Sequence, residues 1–374
     1  MTHVMDGVCN IVDSDRKQYS VTLTGSNSVT IFDLPMKQVI KLGTYVERRG
    51  VHVNCSTEIN LYGFSRTPTG DKTSAFPVIP IYIPTLSSKY VVDMSVSPDV
   101  GVVAVNNNTS VKVKMLTLST NKTNTIDELL HNGEVLQIYL GHHYNDIDEV
   151  HVTITSNKAV AVFSGSLGTD RDACMSQLPP QDRQGQYFII PNPPSNLYNF
   201  IVVSSTYNRT NVTLHDSTSR SIVGADILMD AKPMYSSVNL TSTRPISAIH
   251  LIINTVISSM LSTTIPNTEE YGTYYIIPDI QDSHNNYTRY LTVITPTNCT
   301  SPMNITTNGA TVTLRSRNFS VTAFQPREGL ILLNSTMYCP FAVRVIWVGN
   351  GTMFGFFARP SPHSGEYNVL LHDK

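Results

Sequence analysis

The chain has 374 residues, a formal net charge of −2 and only 14% charged residues, against about 25% in typical soluble proteins. Its polarity comes from neutral groups instead, with 41 Thr, 37 Ser and 29 Asn. The lack of basic clusters excludes general nucleic-acid binding, which depends on Lys and Arg beside phosphates. A hydrophobic content of 41% excludes intrinsic disorder. The length predicts about two to four domains.

Short alternating runs rich in β-branched residues follow one another along the chain. They include residues 19–24, 28–32, 110–115, 150–155 and 311–315. Period-two alternation of Val, Ile, Thr and Tyr is typical of half-buried strands. Clusters of Ser, Thr, Asn, Gly and Pro separate the runs and predict turns. The sequence therefore predicts an all-β fold with mostly antiparallel pairing.

A hairpin-like pattern of a strand, a polar turn and a second strand occurs four times. Its aligned serines are Ser56, Ser156, Ser242 and Ser335, spaced by 100, 86 and 93 residues. We predict four related units of about 90 residues, each with room for about five to seven strands. The first unit lacks its beginning. The predicted bounds are residues 1–65, 66–166, 167–254 and 255–374.

Units of this length favour tandem antiparallel β-sandwich-like repeats, in which two sheets bury alternating side chains between them. A propeller-like ring of β units is the alternative. Propeller blades are usually shorter, at about 40 to 50 residues, so the sandwich interpretation is preferred.

The sequence features that bear on compartment point in different directions. No run of about 18 apolar residues predicts a transmembrane helix, and the N-terminus lacks the basic and apolar regions of a signal peptide. The acceptor pattern Asn-x-Ser/Thr, however, occurs 13 times, about twice as often as chance predicts. We therefore expect a secreted glycoprotein, of which these 374 residues form a fragment. The candidate glycosylation sites are Asn54, Asn107, Asn108, Asn121, Asn208, Asn211, Asn239, Asn286, Asn298, Asn304, Asn318, Asn334 and Asn350.

Five cysteines are present, at Cys9, Cys55, Cys174, Cys299 and Cys339. None forms a CxxC pair, so the spacing does not support a structural zinc site. An odd number in a secreted chain leaves one thiol outside the intramolecular disulfides. We predict a disulfide between Cys299 and Cys339, because both border strand-like runs within one predicted unit. Spacing alone leaves other pairings open.

One group of motifs resembles a known family. Residues Ile154 to Gly165 contain Ile-Thr-Ser and Val-Phe-Ser-Gly, and Cys174-Met-Ser-Gln-Leu-Pro-Pro follows, with an aromatic–aliphatic run that ends at Pro191. This order resembles the N-terminal domain of the IgGFc-binding protein family, most specifically across residues 150–191. The resemblance implies an extracellular, non-enzymatic binding module for glycoprotein or mucus-type partners, without cofactors.

The chain departs from the family at one cysteine. The family usually places a second cysteine soon after the Val-Phe-Ser-Gly strand, and residues 166–173 contain none. The resemblance therefore implies that Cys174 lacks its usual partner. An adhesin or lectin-like carbohydrate-binding protein is the alternative function.

Catalytic and metal-binding patterns are weak. The aspartates beside Arg171 show no apolar pocket that would keep one carboxyl neutral for acid–base work. Ser164-Gly-Ser-Leu-Gly168 lacks the spacing of a nucleophile elbow. Adjacent histidines point apart on an extended backbone, so we interpret residues 141–151 as a solvated loop. We predict no catalytic, cofactor or metal residues, and a metallohydrolase is the least favoured function. The side chains in that loop that would suit zinc or manganese are His142, His143, Asp146, Asp148, Glu149 and His151.

Aromatic residues recur at equivalent places in the predicted units. They occur at Tyr187-Phe188, at Tyr274-Tyr275 and at residues 354–357. Such residues form either a ligand platform or core and inter-unit contacts, and we predict the core.

Overall fold

Among the residues that it describes, the computed structural model shows 31 β-strands, two short 3-10 helices, Gln181–Arg183 and Thr268–Glu270, and no α-helix. The all-β prediction is confirmed. Within the same residues no helix is long and apolar enough to cross a bilayer. The described residues are 7–23, 29–34, 43–66, 73–79, 88–93, 99–117, 119–139, 150–166, 174–192, 197–207, 209–215, 218–222, 225–227, 238–254, 259–280, 287–295, 303–307, 310–314, 322–324, 330–335, 339–349, 352–360 and 367–373.

The strands fall into four consecutive groups and one closing strand. The first group is β1 (Gly7–Val12), β2 (Gln18–Leu23), β3 (Val29–Leu34), β4 (Tyr45–Arg48), β5 (His52–Cys55), β6 (Ile59–Arg66) and β7 (Thr73–Pro77). The second is β8 (Lys89–Asp93), β9 (Asp99–Ala104), β10 (Thr109–Thr117), β11 (Lys122–Leu130), β12 (Glu134–Tyr139), β13 (Val150–Ser156), β14 (Val160–Ser166) and β15 (Cys174–Gln177). The third is β16 (Gly185–Ile190), β17 (Tyr198–Ser204), β18 (Thr210–Leu214), β19 (Thr218–Ile222), β20 (Ala225–Ile227), β21 (Val238–Asn254) and β22 (Ser259–Ile265). The fourth, with the closing strand, is β23 (Tyr274–Ile277), β24 (Thr288–Ile294), β25 (Met303–Thr307), β26 (Ala310–Leu314), β27 (Thr322–Phe324), β28 (Ile331–Ser335), β29 (Ala342–Val348), β30 (Met353–Phe357) and β31 (Tyr367–Asp373).

Each group supplies most strands of two sheets that share a core, and we call these pairs sandwiches 1 to 4. Two strands cross over: β4 of the first group joins the inner sheet of sandwich 2, and the closing strand β31 joins the inner sheet of sandwich 1. The inner sheets run β3-β31-β6-β7, β4-β12-β9-β14-β15, β20-β17-β21-β22 and β27-β24-β29-β30. The outer sheets run β2-β1-β5, β11-β10-β13-β8, β19-β18-β21-β16 and β26-β25-β28-β23. Antiparallel sandwich-like repeats are thus confirmed. The predicted unit bounds stay a prediction, because sheet membership alone does not fix where one unit ends.

Sandwich 2 shows how the sequence pattern makes the core. Along β10, Val111 and Val113 are fully buried, whereas Lys112 and Lys114 are exposed. The buried valines meet Val100 and Val102 of the inner sheet in one apolar cluster. The period-two alternation of the sequence is therefore the alternation between core and solvent.

In sandwich 3 a single strand belongs to both sheets. β21 has 17 residues. Its first part pairs with β16 and β18 in the outer sheet, and its second part pairs with β17 and β22 in the inner sheet. A strand that passes from one sheet to the other forms a corner of the sandwich.

Four inner-sheet strands hold the sandwiches together. β7, β15, β22 and β30, which we call the central strands, contact one another in cyclic order. The sandwich-like repeats are therefore arranged as a ring, a circular order that belonged to the propeller-like alternative. Backbone and hydroxyl groups join several neighbours, since Met175 N–H donates to Ser74 Oγ at 3.1 Å and Ser176 Oγ donates to the Ser262 carbonyl at 2.9 Å.

Between sandwiches 1 and 4 the central strands meet through apolar side chains. Ala75 of β7 and Phe354 of β30 belong to one large apolar cluster, with Tyr62 and Phe64 of β6. Phe64 meets Phe354 edge to face with ring centroids 5.5 Å apart. Sandwich 1 therefore shares a core with sandwich 4, although the two lie at opposite ends of the sequence.

The disulfides differ in part from the prediction. Cys9 of β1 is bonded to Cys55 of β5, and the two are cross-strand partners. Cys339 is disulfide-bonded, but Cys299 lies outside the described residues, so the Cys299–Cys339 pairing stays a prediction. Cys174 is buried as a thiol at the start of β15. Two disulfides fit an oxidising compartment.

Two glycines of sandwich 2 give a matched test of the central packing. A Cβ on Gly165 would lie 1.8 Å from the Cys174 carbonyl oxygen, whereas a Cβ on Gly101 of the neighbouring strand would meet nothing closer than 3.8 Å. We expect Gly165→Ala to lower the free energy of unfolding by about 1–3 kcal/mol. Gly101→Ala should stay within about 0.5 kcal/mol of the wild type. Urea denaturation measures both, and equal effects would contradict the close approach of β14 and β15.

Candidate functional site

The centre of the ring is tightly packed. The central strands lie against one another and leave only a narrow gap, with no room for a bound small molecule. The residues that line this gap are Thr73, Ser74, Ala75, Cys174, Met260, Leu261, Ser262, Met353 and Phe354. The candidate recognition site described below lies on the surface instead.

The most exposed aromatic residue of the described chain is Tyr187 on β16, with 60% of its surface accessible. Its neighbour Phe188 is 3% exposed and packs in the core of sandwich 3. The alternation of a strand explains the contrast, because adjacent side chains point to opposite faces of the sheet. Burial of Phe188 thus fixes Tyr187 on the outside of the outer sheet.

The start of β16 is positioned by Gly185 and by the corner where β21 passes from one sheet to the other. Gly185 faces Asn267, and a Cβ at Gly185 would lie 2.2 Å from the Asn267 Cβ. Asn267 also donates from Nδ2 to the Arg183 carbonyl at 3.2 Å. The register between β16 and β21 shifts between Gly185 and Tyr187, where β21 changes sheets. Register irregularities of this kind re-aim side chains, and here the shift precedes the exposed tyrosine.

Hydroxyl and imidazole groups accompany Tyr187 across the sheet. Thr241 is its partner on β21, and Thr213 is the partner of Thr241 on β18. His215 follows β18 and places Nε2 3.4 Å from Thr241 Oγ1. We call Tyr187, Thr241, Thr213 and His215 the Tyr187 face. It combines one rigid aromatic ring with neutral hydrogen-bonding groups.

The candidate glycosylation sites that the structure describes share one location. All eight lie in outer-sheet strands or in the turns that border β10, and none of them is buried. Six are exposed, namely Asn54, Asn107, Asn108, Asn121, Asn211 and Asn334, and two are partly exposed, namely Asn239 and Asn304. The other five lie outside the described residues: Asn208, Asn286, Asn298, Asn318 and Asn350.

Arg344 on β29 is a buried charged residue between sandwiches 3 and 4. It is fully buried, and its guanidinium donates to the carbonyls of Pro191 and Asn192 and to Nδ1 of His250, the last at 3.3 Å. Burial lowers the pKa of Arg344 to about 9. Because its partners are neutral acceptors, this arginine joins sandwiches 3 and 4 and does not form a charged reaction centre.

His250 continues this network. Its Nδ1 accepts from Arg344, so Nε2 carries the proton and donates to Asn199 Oδ1 at 3.0 Å. The pKa of His250 lies well below its ordinary value of 6.5, mainly because the ring is buried and secondly because the charge of Arg344 is adjacent. The imidazole is therefore neutral and structural.

A partly buried carboxyl, that of Glu270, lies at the end of the 3-10 helix Thr268–Glu270. Burial raises the pKa of Glu270, and the nearby Arg359 charge opposes that rise. Glu270 accepts from the Asn267 backbone N–H at 3.2 Å, which completes a capping box. Its role in capping accounts for this carboxyl without a catalytic function.

The weak catalytic patterns of the sequence are not brought together where the structure describes them. Ser164 is buried within β14 and is followed by the tightly packed Gly165, so this segment is a strand and not an elbow. His151 lies on β13, partly exposed. Residues 140–149 and 167–173 lie outside the described residues. Among those described, no three His, Cys, Asp or Glu side chains cluster as metal ligands would.

The aromatic prediction is right for most positions and wrong for Tyr187, whereas Tyr274 is only partly buried. Phe188, Tyr275, Phe354, Phe356 and Phe357 are buried in core clusters. Their equivalent, Tyr187, is exposed instead. The sequence signal was the strand alternation itself, since two adjacent aromatics cannot both face the same core.

The neutral, buried His250 predicts a pH dependence of stability. In the unfolded chain this histidine gains a proton as the pH falls below 6.5, whereas the folded protein resists protonation. The free energy of unfolding should therefore fall with acidification, with a slope approaching about 1.4 kcal/mol per pH unit from this group. His250→Gln should be less stable at pH 7.5 and should lack this component, whereas the exposed His52→Gln should keep it. Urea denaturation between about pH 7.5 and 5.5 measures the slopes, and an unchanged slope in His250→Gln would contradict the assignment.

Comparisons with known proteins agree with the motif resemblance. No curated protein matches the chain. A solved structure, described as "Crystal structure of tetra-tandem repeat in extending region of large adhesion protein", aligns with 96% of this chain and 92% of that chain at 10% identity and a TM-score of 0.11, values too low to support any argument. The family model described as IgGFc binding protein matches residues 75–349, from β7 to the end of β29 and so most of the chain. The chain belongs to the IgGFc-binding protein family.

Proposed function

We propose that the chain is a secreted, non-enzymatic binding module that recognises glycoprotein or mucus-type partners through the Tyr187 face. The observation that carries this proposal is the 60% exposure of Tyr187, on a sheet whose other aromatic, Phe188, is buried. Membership of a binding family supports the general class.

The chemistry of the Tyr187 face suits recognition of a polar macromolecule. Tyrosine supplies a large contact area at a low entropic cost, and small polar side chains supply adaptable hydrogen bonds. Tyrosine is also frequent among the residues that dominate binding energy. The charged fraction of 14% fits a partner that is bound mainly by contact and hydrogen bonding, with little electrostatic steering.

We also propose N-glycosylation of the outer sheets. Attached glycans would meet water at the described sites, because all of them are at least partly exposed. Asn239 lies two residues before Thr241 on β21 and points to the same face. A glycan at Asn239 would therefore border the Tyr187 face and restrict which partners approach it.

An adhesin or lectin-like carbohydrate-binding function is the second candidate. The same observation favours it, because an exposed tyrosine ring beside threonine hydroxyls also fits a sugar. A glycan array separates the two candidates, since a lectin binds isolated glycans whereas a protein-directed module requires the polypeptide of its partner. The Fc region of IgG, which the family name gives, is one glycoprotein to test directly.

The binding proposal predicts the behaviour of two tyrosine variants. The glycosylated chain is used to capture partners from mucus and extracellular fluid, and the captured proteins are identified by mass spectrometry. We expect Tyr187→Ala to weaken binding to the identified partner by about 30-fold or more, equivalent to about 2 kcal/mol for a dominant contact. Tyr198→Ala is the control, because Tyr198 is 44% exposed but lies on the inner sheet.

Two results would count against the Tyr187 face. One is equal affinity of the wild type and Tyr187→Ala for the captured partner or for purified Fc. The other is a loss of binding in Tyr198→Ala that matches the loss in Tyr187→Ala. Circular dichroism and thermal unfolding of each variant show that the fold is intact.

The glycosylation proposal predicts a measurable mass change. Protein made in a eukaryotic secretory host should lose mass on treatment with N-glycosidase. When the N-glycosidase cleaves in heavy-oxygen water, the heavy oxygen should be incorporated at the acceptor sites that carried glycans, such as Asn108 or Asn121. Asn132 and Asn157 are exposed asparagines outside the acceptor pattern and serve as internal controls. A chain that is secreted by this host without any mass loss would refute the proposal.

A further inference from the structure

The outer sheet of sandwich 4 contains a counterpart of the Tyr187 face. Tyr274 of β23 has Asn334 of β28 as its register partner, and Asn334 has Asn304 of β25 as its partner on the other side. The strand order β23-β28-β25 corresponds to the order β16-β21-β18 of sandwich 3, which carries Tyr187 and its neighbouring threonines in the same three places. We call Tyr274, Asn334 and Asn304 the Tyr274 row.

The three side chains of the Tyr274 row point away from the core. Adjacent residues of a strand point to opposite faces of a sheet, and a chain neighbour of each row member is buried in one core cluster, namely Tyr275, Leu333 and Ile305. The row therefore lies on the outer face of sandwich 4. Asn334 is exposed there, and Tyr274 and Asn304 are partly exposed.

The Tyr274 row differs from the Tyr187 face in the two positions beside the tyrosine. Where sandwich 3 has threonines, sandwich 4 has two asparagines that both belong to the acceptor pattern, as Asn304-Ile-Thr and Asn334-Ser-Thr. In sandwich 3 the acceptor Asn239 lies two residues along β21 from the partner of Tyr187. Direct register partners are closer than such diagonal neighbours. A glycan at Asn334 would therefore begin directly beside the ring of Tyr274.

We propose that the N-glycan of Asn334 occupies the Tyr274 row, with its first N-acetylglucosamine packed on the ring of Tyr274. This inference rests on the N-glycosylation proposed above. Register partners place their Cβ atoms about 4.5–5.5 Å apart, so a sugar attached to the Asn334 side chain reaches the ring. A pyranose presents C–H groups on its face, and an aromatic ring offers a large apolar surface for them to cover.

The proposed glycan gives the two equivalent faces different roles. Neighbouring strands are about 4.7–4.9 Å apart, so a glycan at Asn304 would begin one strand further from Tyr274 than the glycan at Asn334. The sugar at Asn334 closes the outer face of sandwich 4 to protein partners. Threonines carry no N-glycan, so the Tyr187 face is the open one of the two surfaces.

Hydroxyl-radical footprinting of the glycosylated full-length chain, read by mass spectrometry, measures access to each tyrosine ring. We expect Asn334→Gln to raise the oxidation rate of Tyr274 about twofold or more, because one face of the ring is uncovered. The rate at Tyr187 should stay unchanged. Asn304→Gln and Asn239→Gln are the matched controls, since each removes one acceptor and leaves the glycan of Asn334 in place.

Enzymatic trimming of the wild type separates packing on the ring from loose shielding. An endoglycosidase that leaves one N-acetylglucosamine on each site should keep Tyr274 protected, whereas complete removal of the glycans should expose it. Equal exposure after both treatments would overturn the proposal, as would a rise at Tyr274 that follows Asn304→Gln and not Asn334→Gln. A secreted chain with glycans at other sites but none at Asn334 would contradict this inference alone, whereas a chain without any glycan would contradict N-glycosylation as well.

Discussion

The contact of β7, β15, β22 and β30 is the constraint on which the rest of the structure depends. Each central strand is the edge of one inner sheet, and by touching two neighbours it covers an edge that would otherwise be open. Small side chains permit this approach, as at Gly165, where the Cys174 carbonyl occupies the space of a Cβ. Hydroxyl groups such as Ser74 and Ser176 satisfy backbone groups across the junctions.

This constraint also explains the unusual composition. A junction between sheets buries polar backbone groups, which require hydrogen-bond partners. Serine and threonine provide those partners without the desolvation cost of a buried charge. Arg344 is a buried exception, and it is surrounded by carbonyl and imidazole acceptors. The low charge that first excluded nucleic-acid binding is therefore partly a property of the junctions, as well as of the outer sheets that carry the acceptor asparagines.

Local patterns predicted the fold class well. Residues 110–115 and 150–155 alternate as predicted and form β10 and β13, because burial in a sandwich follows the period of the strand. The repeated hairpins predicted sandwich-like units for the same reason. Local patterns could not predict the closure of the ring. It depends on pairs between β31 and β6 that are 308 positions apart, and no local period carries that information.

The site was predictable only in part. Tyr187 was visible in the sequence as one of the recurring aromatics, and its equivalence to the other repeats predicted that it lies in the core. Its exposure is instead decided by the alternation with Phe188 and by the register of β16. The Cys9–Cys55 disulfide was missed because spacing does not specify that β1 and β5 are neighbours. Acceptor asparagines were visible as a motif, but the location of the eight described ones, in outer-sheet strands or in the turns that border β10, required the sheet order.

The central claim is that four sandwiches form one cooperative body through the central strands. Native-state hydrogen exchange tests this claim most directly, because it measures an opening free energy for each protected amide. The account predicts that the slowest amides of β15, β22 and β30 share one opening free energy, which equals the global free energy of unfolding. Distinct values for each sandwich, as in independent domains joined by linkers, would contradict it.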